Sequence, residues 1–528
     1  MSFQELRNPL TDVTNDVTIT SALNESKKRP REEHQENPLS QNQNGGLKDA
    51  KYDVETMPAE CCTENVRTRQ RRRKPGINGA IFNLKAGYSQ PRIHQIYNYT
   101  ELHALESFVS SNKADLISCH SMDSQSYLVP PYACAYSNAS KQGKQSVLAV
   151  ATEEGTVDIL NTSKRNDWDP EPSRTTLQVH TNGIFDVKWS PSDSLIATAS
   201  GDKNICITDP RSSSASALHT LHSVHTSTVK TIAWHPSNDN LLVSGGRDGR
   251  ICLWDLRTKY SISENNDPRA PALMVIPYAH EVAPGKPTKH GRTTLVQRSV
   301  TSVVYVPQDS NQIISSGSGD GILRKWDLRY PKLTPKRGKK SSHALPVDES
   351  SEDFTTMSSK LPSADLLFSP RRARGIISLA IGNGPSAGRV FALGNDSRIH
   401  TYNTSGAGSI PLGIPQPDII YSHRHMHTNS FYVRTAVSPC GRWLAAGGSS
   451  GSAFLFDATV STEDRSPYQG IELSGQKGEV GAIDWADGML ASCADDGTVR
   501  IWRPDVKRLQ QCKEDEEEAK WDWCWGRP

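Results

Sequence analysis

Four kinds of residue grouping in this sequence could do chemistry. The first is histidine with a hydroxyl, an acid and a tryptophan at fixed offsets: His225, Ser244, Asp248 and Trp254. An imidazole, a hydroxyl, a carboxylate and an indole N–H can satisfy one another when buried, and a complete polar network of that kind rigidifies a core. The second is an arginine placed two residues after an aspartate, three times over: Asp209/Arg211, Asp255/Arg257 and Asp327/Arg329. A planar guanidinium with five donors suits carboxylate and carbonyl acceptors on a partner. The third is the alternating run His423, His425, His427, which has metal-ligand spacing but no acid or cysteine beside it. The fourth is basic: Lys27, Lys28, Arg29 and Arg31, then Arg67 through Lys74 with Arg71, Arg72, Arg73 and Lys74 consecutive. Such runs read as nuclear import signals or nucleic-acid contacts. Phosphate-binding Gly-rich loops, nucleophile elbows and metal-ligand constellations of known spacing are not found. The reading is of a binding protein without catalytic residues, cofactor or metal.

The elements that position these groups follow from a repeat. An apolar stretch, small residues, an Asp-Gly turn and a second apolar stretch ending in Trp-Asp recur, most clearly at 241–257, 313–329 and 489–502. Weaker copies lie at 147–160, 195–211, 390–403 and 443–457, which makes seven. The turn acid precedes the strand-end residue by six positions in Asp202/Thr208, Asp248/Trp254, Asp320/Trp326, Asp396/Tyr402, Asp496/Trp502 and Glu154/Leu160. Asp-Gly is a favoured hairpin connection, and a period near 46, as from Asp202 to Asp248, is that of the WD40 blade. The prediction is an all-β, seven-bladed WD40 β-propeller over residues 91–510, with insertions at about 258–297 and 331–374 where the turn spacing lengthens to 72 and 76. Thr208 stands for the tryptophan in blade two beside His180, Thr198 and Asp202; blade seven has no histidine near Lys477; blade six has His427 with Ser450 for the acid.

Outside the repeats, residues 1–90 are polar and charged without a hydrophobic period, and are expected to be a disordered arm, because they cannot bury enough surface to offset their ordering entropy. The chain has 528 residues, 35% hydrophobic, and a net charge of only +2, so no global field argues for nucleic acid. Ten scattered cysteines without a secretory signal argue for thiols rather than disulfides. No apolar run approaches the length of a membrane span. The second insertion is net basic and carries Ser369-Pro370-Arg371-Arg372, a candidate proline-directed phosphorylation site. The tail 511–528 is acidic, then places Trp521, Trp523 and Trp525 at strand period, which predicts packing on the propeller.

The arginine-tagged Trp-Asp ends, with the segments VPPYACAYSNA (129–139), VLAVATEEGTVDILNT (147–162), HTNGIFDVKW (180–189), GGRDGRICLWDLR (245–257), SVTSVVY (299–305), SGDGILRKWDLR (318–329) and NSFYVRTAVSPCGRWLAAGGSS (429–450), resemble the Denticleless family, and within it a fungal member. The resemblance covers roughly 128–503. It implies a substrate receptor of cullin-4 RING ubiquitin ligases that docks on the adaptor called damaged-DNA-binding protein one. It implies substrates bound to the sliding clamp on replicating DNA, among them a replication-licensing factor and, in some fungi, an inhibitor of ribonucleotide reductase. Asp209, Arg211, Asp255, Arg257, Asp327 and Arg329 would then contact the adaptor. Because the family's degrons carry a basic residue, Glu153, Glu154, Asp186, Arg247, Phe431, Tyr432 and Arg434 are the candidates for the degron surface. Nuclear location and possible indirect chromatin association follow from the same resemblance. The chain departs from animal members in its long N-terminal arm and in ending soon after its last blade, which puts contacts made by the animal tail in doubt; the basic arm is a candidate substitute. The alternative from another class is a WD40 chromatin or histone-binding scaffold.

Overall fold

In a computed structural model, the residues described are 104–527, apart from 124–125, 213–216, 259–260, 263–267, 270–271, 281–298, 320, 330–331, 335–342, 351–374, 405–418 and 461–467. The two basic clusters of the arm, Asp320 and Ser369 therefore lie outside the described residues.

Seven four-stranded antiparallel units follow one another around a ring. Their innermost strands are Pro131–Tyr136, Ile184–Trp189, Val229–His235, Val300–Val306, Ile376–Ile381, Thr435–Val437 and Val480–Ala486. Each contacts the next, and the last contacts the first, so the ring is closed. Closure itself supplies the packing that the weaker copies of the repeat need.

Three local features recur around the ring. The hairpin between the second and third strands turns through a residue with positive φ: Gly155, Lys203, Gly249, Gly321, Ser397, Gly451 and Gly497. Five of these are glycine because an L side chain is strained in that conformation. Then, just inside the start of six innermost strands, one residue is skipped in the pairing: Tyr132, Phe185, Lys230, Thr301, Ile377 and Gly481. These β-bulges re-aim one side chain per blade. One position further on, a side-chain oxygen accepts the backbone N–H of the following blade: Asp186 from Ile232 at 2.9 Å, Thr231 from Val303 at 3.3 Å, Ser302 from Leu379 at 3.3 Å and Ser378 from Thr435 at 3.2 Å. The tryptophans add inter-blade bonds, with Trp189 donating to the Ala135 carbonyl and Trp234 to that of Lys188.

Two corrections to the sequence reading concern the insertions. The interval 258–297 contains the outer strand of blade three, Met274–Ile276, and the interval 331–374 contains that of blade four, Asp348–Glu349. Both outer strands are two or three residues long with exposed positions, so they carry no periodic apolar signal. A short hairpin precedes each, Ser261–Ile262 with Pro268–Arg269 and Lys332–Thr334 with His343–Leu345.

Blade seven is completed from outside the repeats. Its third strand, Thr498–Pro504, pairs on its outer side with Leu116–Ser118 and with Phe108–Ser111, both N-terminal to the first blade. The C-terminal strand Trp523–Arg527 then pairs with Phe108–Ser111 on one side and with Ile471–Ser474 of blade six on the other. Blades six and seven thereby share one ten-stranded sheet. Trp525 is buried with Val109, Leu509 and Cys512. Trp521 sits instead in the helix Glu516–Asp522 and is exposed, so the three-tryptophan alternation holds only for its last two members. No helix among the described residues is long and apolar enough to cross a membrane.

Trp525→Ala is expected to cost about 3–5 kcal/mol by emptying that small core, whereas Trp521→Ala changes stability by no more than about 0.5 kcal/mol. Urea denaturation midpoints of the two variants check this; equal midpoints would mean the C-terminal strand does not hold the ring.

Candidate functional site at the channel mouth and the opposite rim

The polar sets beside the tryptophans are interior. His225 Nδ1 lies 3.1 Å from Asp248 Oδ2, its Nε2 2.8 Å from Ser244 Oγ, and Trp254 Nε1 donates to the same Ser244 oxygen at 2.8 Å. His180 spans Asp202 and Thr198, both at 2.8 Å, while the buried Thr208 hydroxyl finds no partner. Burial opposes charge on His180, yet Asp202 and Cys206 outweigh it and hold the imidazole up to about 9. Sequence reading missed the blade-four histidine: His280 Nε2 meets Ser315 Oγ at 2.8 Å, and Trp326 donates there too. The 281–298 insertion had pushed it out of register. In blade seven Gln476 takes the histidine's place, accepting from Ser492 at 2.6 Å. Blade six is a correction. His427 is exposed, and the buried imidazole of that loop is His423, packed 5.1 Å from the Phe454 ring. Nor is the loop without an acid, because Glu472 of blade six bonds His425 at 2.7 Å. The donor atoms of His423, His425 and Glu472 lie within 4.8 Å of one another.

The three Asp/Arg pairs end the third strands of blades two, three and four. Those strands run in the same sense, so the pairs occupy one face of the ring. In each, the arginine backbone N–H donates to the aspartate Oδ1 at 2.9 Å, a tight local turn. Arg257 also forks onto Asp255 through Nε at 2.9 Å and Nη2 at 2.7 Å. Arg329 does the same on Asp327 at 3.1 and 2.9 Å and reaches Asp309 at 3.3 Å. Arg211 makes a single contact at 3.3 Å. The Arg257 hydrogen bond is the main reason the Asp255 carboxyl sits below the usual range. Pairing within the blade leaves the arginines open, with side-chain exposures of 75%, 62% and 48% in chain order. The pairing orients guanidiniums that remain exposed.

The other candidates fall on the opposite face, around the channel mouth, with one exception. Asp186 is buried, and its oxygens are taken by Ile232 N–H and by Lys188, so it belongs to the inter-blade belt. At the mouth, the bulge residues Tyr132 and Phe185 stack with centroids 5.6 Å apart and planes 5° from parallel. Tyr432 approaches Tyr132 at 4.9 Å, and Phe431 approaches Phe185 at 5.1 Å. Arg434, just before the innermost strand Thr435–Val437 of blade six, crosses the axis: its Nη2 donates to the carbonyls of Phe185 at 2.9 Å and Lys230 at 2.8 Å. Lys230 Nζ stands 4.0 Å above the Phe431 ring. Sequence inspection missed Tyr132, Phe185 and Lys230, although their shared offset from the start of the innermost strand was a usable signal.

Charge is sorted across this mouth. Toward blades seven and one, Glu479 accepts the backbone N–H groups of Asn429 and Ser430 at 3.1 and 3.2 Å. Asp495 lies 3.3 Å from the Tyr432 hydroxyl, and burial, with Glu479 and Glu153 nearby, pushes its carboxyl up. Glu154 accepts from Tyr127. Toward blade three stand Lys230, Arg247 and Arg434. Burial first, then the two arginines, lowers the Lys230 ammonium to about 8.

With this geometry in view, comparison with known proteins is informative. The WD domain, G-beta repeat model matches residues 171–209, 216–255, 290–327 and 469–503. The chain is 30% identical to the Denticleless protein homolog of Danio rerio, over 72% of this chain and 52% of that protein. It is 27% identical to Protein lethal(2)denticleless of Drosophila melanogaster, over 73% and 46%. With Cell division cycle protein cdt2 of Schizosaccharomyces pombe the figures are 29%, 71% and 69%. The chain is similar to proteins named Denticleless and carries WD repeats. It spans about half the length of the animal relatives it matches.

A pH prediction follows from Lys230. The unfolded chain keeps this proton to the ordinary lysine value of 10.5, the folded one only to about 8. Between those values the unfolded state binds more protons, so stability contributed by this group rises as pH climbs from 8 to 10.5. Lys230→Met is expected to raise stability at pH 7 and to remove that rise, read from urea midpoints across the range; an unchanged pH profile would contradict it.

Proposed function

We propose that this protein is the substrate-recognition subunit of a cullin-4 RING ubiquitin ligase, acting in the nucleus on replication and cell-cycle proteins bound to the sliding clamp. The observation that carries the reading is the set of three exposed Asp–Arg pairs, two of them forked, on consecutive blades and one face. Pre-oriented guanidiniums at such spacing meet acceptors on a partner with little further ordering cost. Likeness to Denticleless proteins supports the ligase as that partner. The forks would dock the damaged-DNA-binding-protein-type adaptor, leaving the aromatic mouth on the other face for the degron. The receptor then works without chemistry of its own: a rigid ring holds the substrate segment at a set distance from the ligase.

The basic clusters at Lys27–Arg31 and Arg67–Lys74 serve nuclear import in this reading. Co-purification of the adaptor with the full chain tests the proposal. Wild type is expected to recover it. Arg257→Ala combined with Arg329→Ala is expected to reduce recovery at least tenfold with an unchanged unfolding midpoint, because both side chains lie outside the blade cores. Full recovery by the double variant would overturn it.

A further inference from the structure

We infer that Lys230, Arg247 and Arg434 form a carboxylate-binding subsite at the channel mouth, which takes an acidic side chain of an extended peptide whose basic side chain meets Glu153, Glu479 and Asp495 across the aromatic cluster. The inference rests on the receptor reading above and gives that surface a polarity.

The case begins with an energetic anomaly. Lys230 keeps only 8% of its surface exposed, yet its ammonium has just the Ser299 hydroxyl, at 3.3 Å, and the Phe431 ring as partners. Buried ammonium groups are ordinarily paired with a carboxylate. Here the neighbouring charges are Arg247 and Arg434, both of the same sign. Arg434 spends Nη2 on two carbonyls, and its buried Nε has no acceptor. Among the described residues no carboxylate pairs with any of the three. The ring imposes this convergence: the bulge of blade three re-aims Lys230, Arg434 reaches across from blade six to the Lys230 carbonyl, and Arg247 lies in the turn after the second strand of blade three. A bound anion would relieve the repulsion, restore the full charge on Lys230 and supply the missing acceptors, so the folded ring is poised for one.

The opposite edge has the complementary defect. Asp495 is raised by Glu479 and Glu153, and no described cation pairs with it. Between the two edges lie only aromatic faces: Lys230 is 4.0 Å from Phe431, Phe431 is 5.7 Å from Tyr432, and Tyr432 touches Asp495. An extended chain advances about 3.3 Å per residue, so acid and base fall within about five residues of each other.

The test uses the full chain and dye-labelled twelve-residue peptides of one composition, with an aromatic pair between one Lys and one Glu at separations of three to eight. Fluorescence anisotropy is expected to find tightest binding at separations of about three to five. There, Glu→Gln in the peptide should weaken binding at least tenfold to wild type and less than twofold to Lys230→Met/Arg247→Ala. Glu479→Gln/Asp495→Asn should abolish the dependence on the peptide's Lys and leave the dependence on its Glu. Glu-dependence that persists in Lys230→Met/Arg247→Ala would overturn the subsite, as would binding only when phosphoserine replaces Glu. Failure of every peptide to bind while the adaptor still co-purifies would sink the subsite and spare the receptor reading. Polarity-dependent binding without the adaptor would do the reverse.

Discussion

Closure of the last blade is the constraint on which the molecule depends. Six blades draw all their strands from one repeat each, but the third strand of blade seven finds its outer partners, Phe108–Ser111 and Leu116–Ser118, some 390 residues earlier in the chain. Bringing such distant segments together costs on the order of 5 kcal/mol of chain entropy. The seam offsets this with density. Arg500 is nearly fully buried and bonds Ser110, Asn112 and the Gly475 carbonyl, while Arg503 pairs with Asp115. The C-terminal strand then ties the same edge to blade six. The ring leaves only the short edge strands of its blades to template pairing with another chain.

Because the ring is closed, its geometry repeats, and repeated geometry frees one position per blade for recognition. The bulge site demands only that a side chain be re-aimed, not which one. In the six blades that carry it, the site holds Tyr132, Phe185, Lys230, Thr301, Ile377 and Gly481 in turn. The glycine makes room: a Cβ there would meet the Tyr432 ring at 2.7 Å. The position beside it is constrained by the inter-blade hydrogen bonds and is small or polar throughout. Adjacent residues on the same strands thus divide between holding the ring and lining its mouth.

The opposite face follows the same economy. The Asp–Arg turns close the ends of third strands and would be unremarkable singly, since exposed ion pairs contribute little to stability. Their worth is directional. Self-pairing removes most of the rotamer freedom a docking arginine would otherwise lose, while the side chains stay exposed.

Much of this was legible beforehand, for identifiable reasons. Seven blades, the turn acids and the His225–Asp248 set have short-range signatures, because a hairpin and its neighbouring strand confine them to about thirty residues. His280 was hidden by an insertion, the outer strands of blades three and four by their brevity, and Gln476 by its departure from the expected residue type. His427 was misread because only packing against Phe454 decides which imidazole of that loop turns inward. What the residues alone determined was the repeat, its period and the rim motif, all consequences of local hydrogen bonding and hydrophobic alternation. Tertiary structure alone decided which distant side chains meet. It seals the ring with a segment from before the first repeat, and it carries Arg434 across the axis to Lys230. The physical reason is that closure converts positions far apart in sequence into neighbours around one channel, and no local preference encodes that distance.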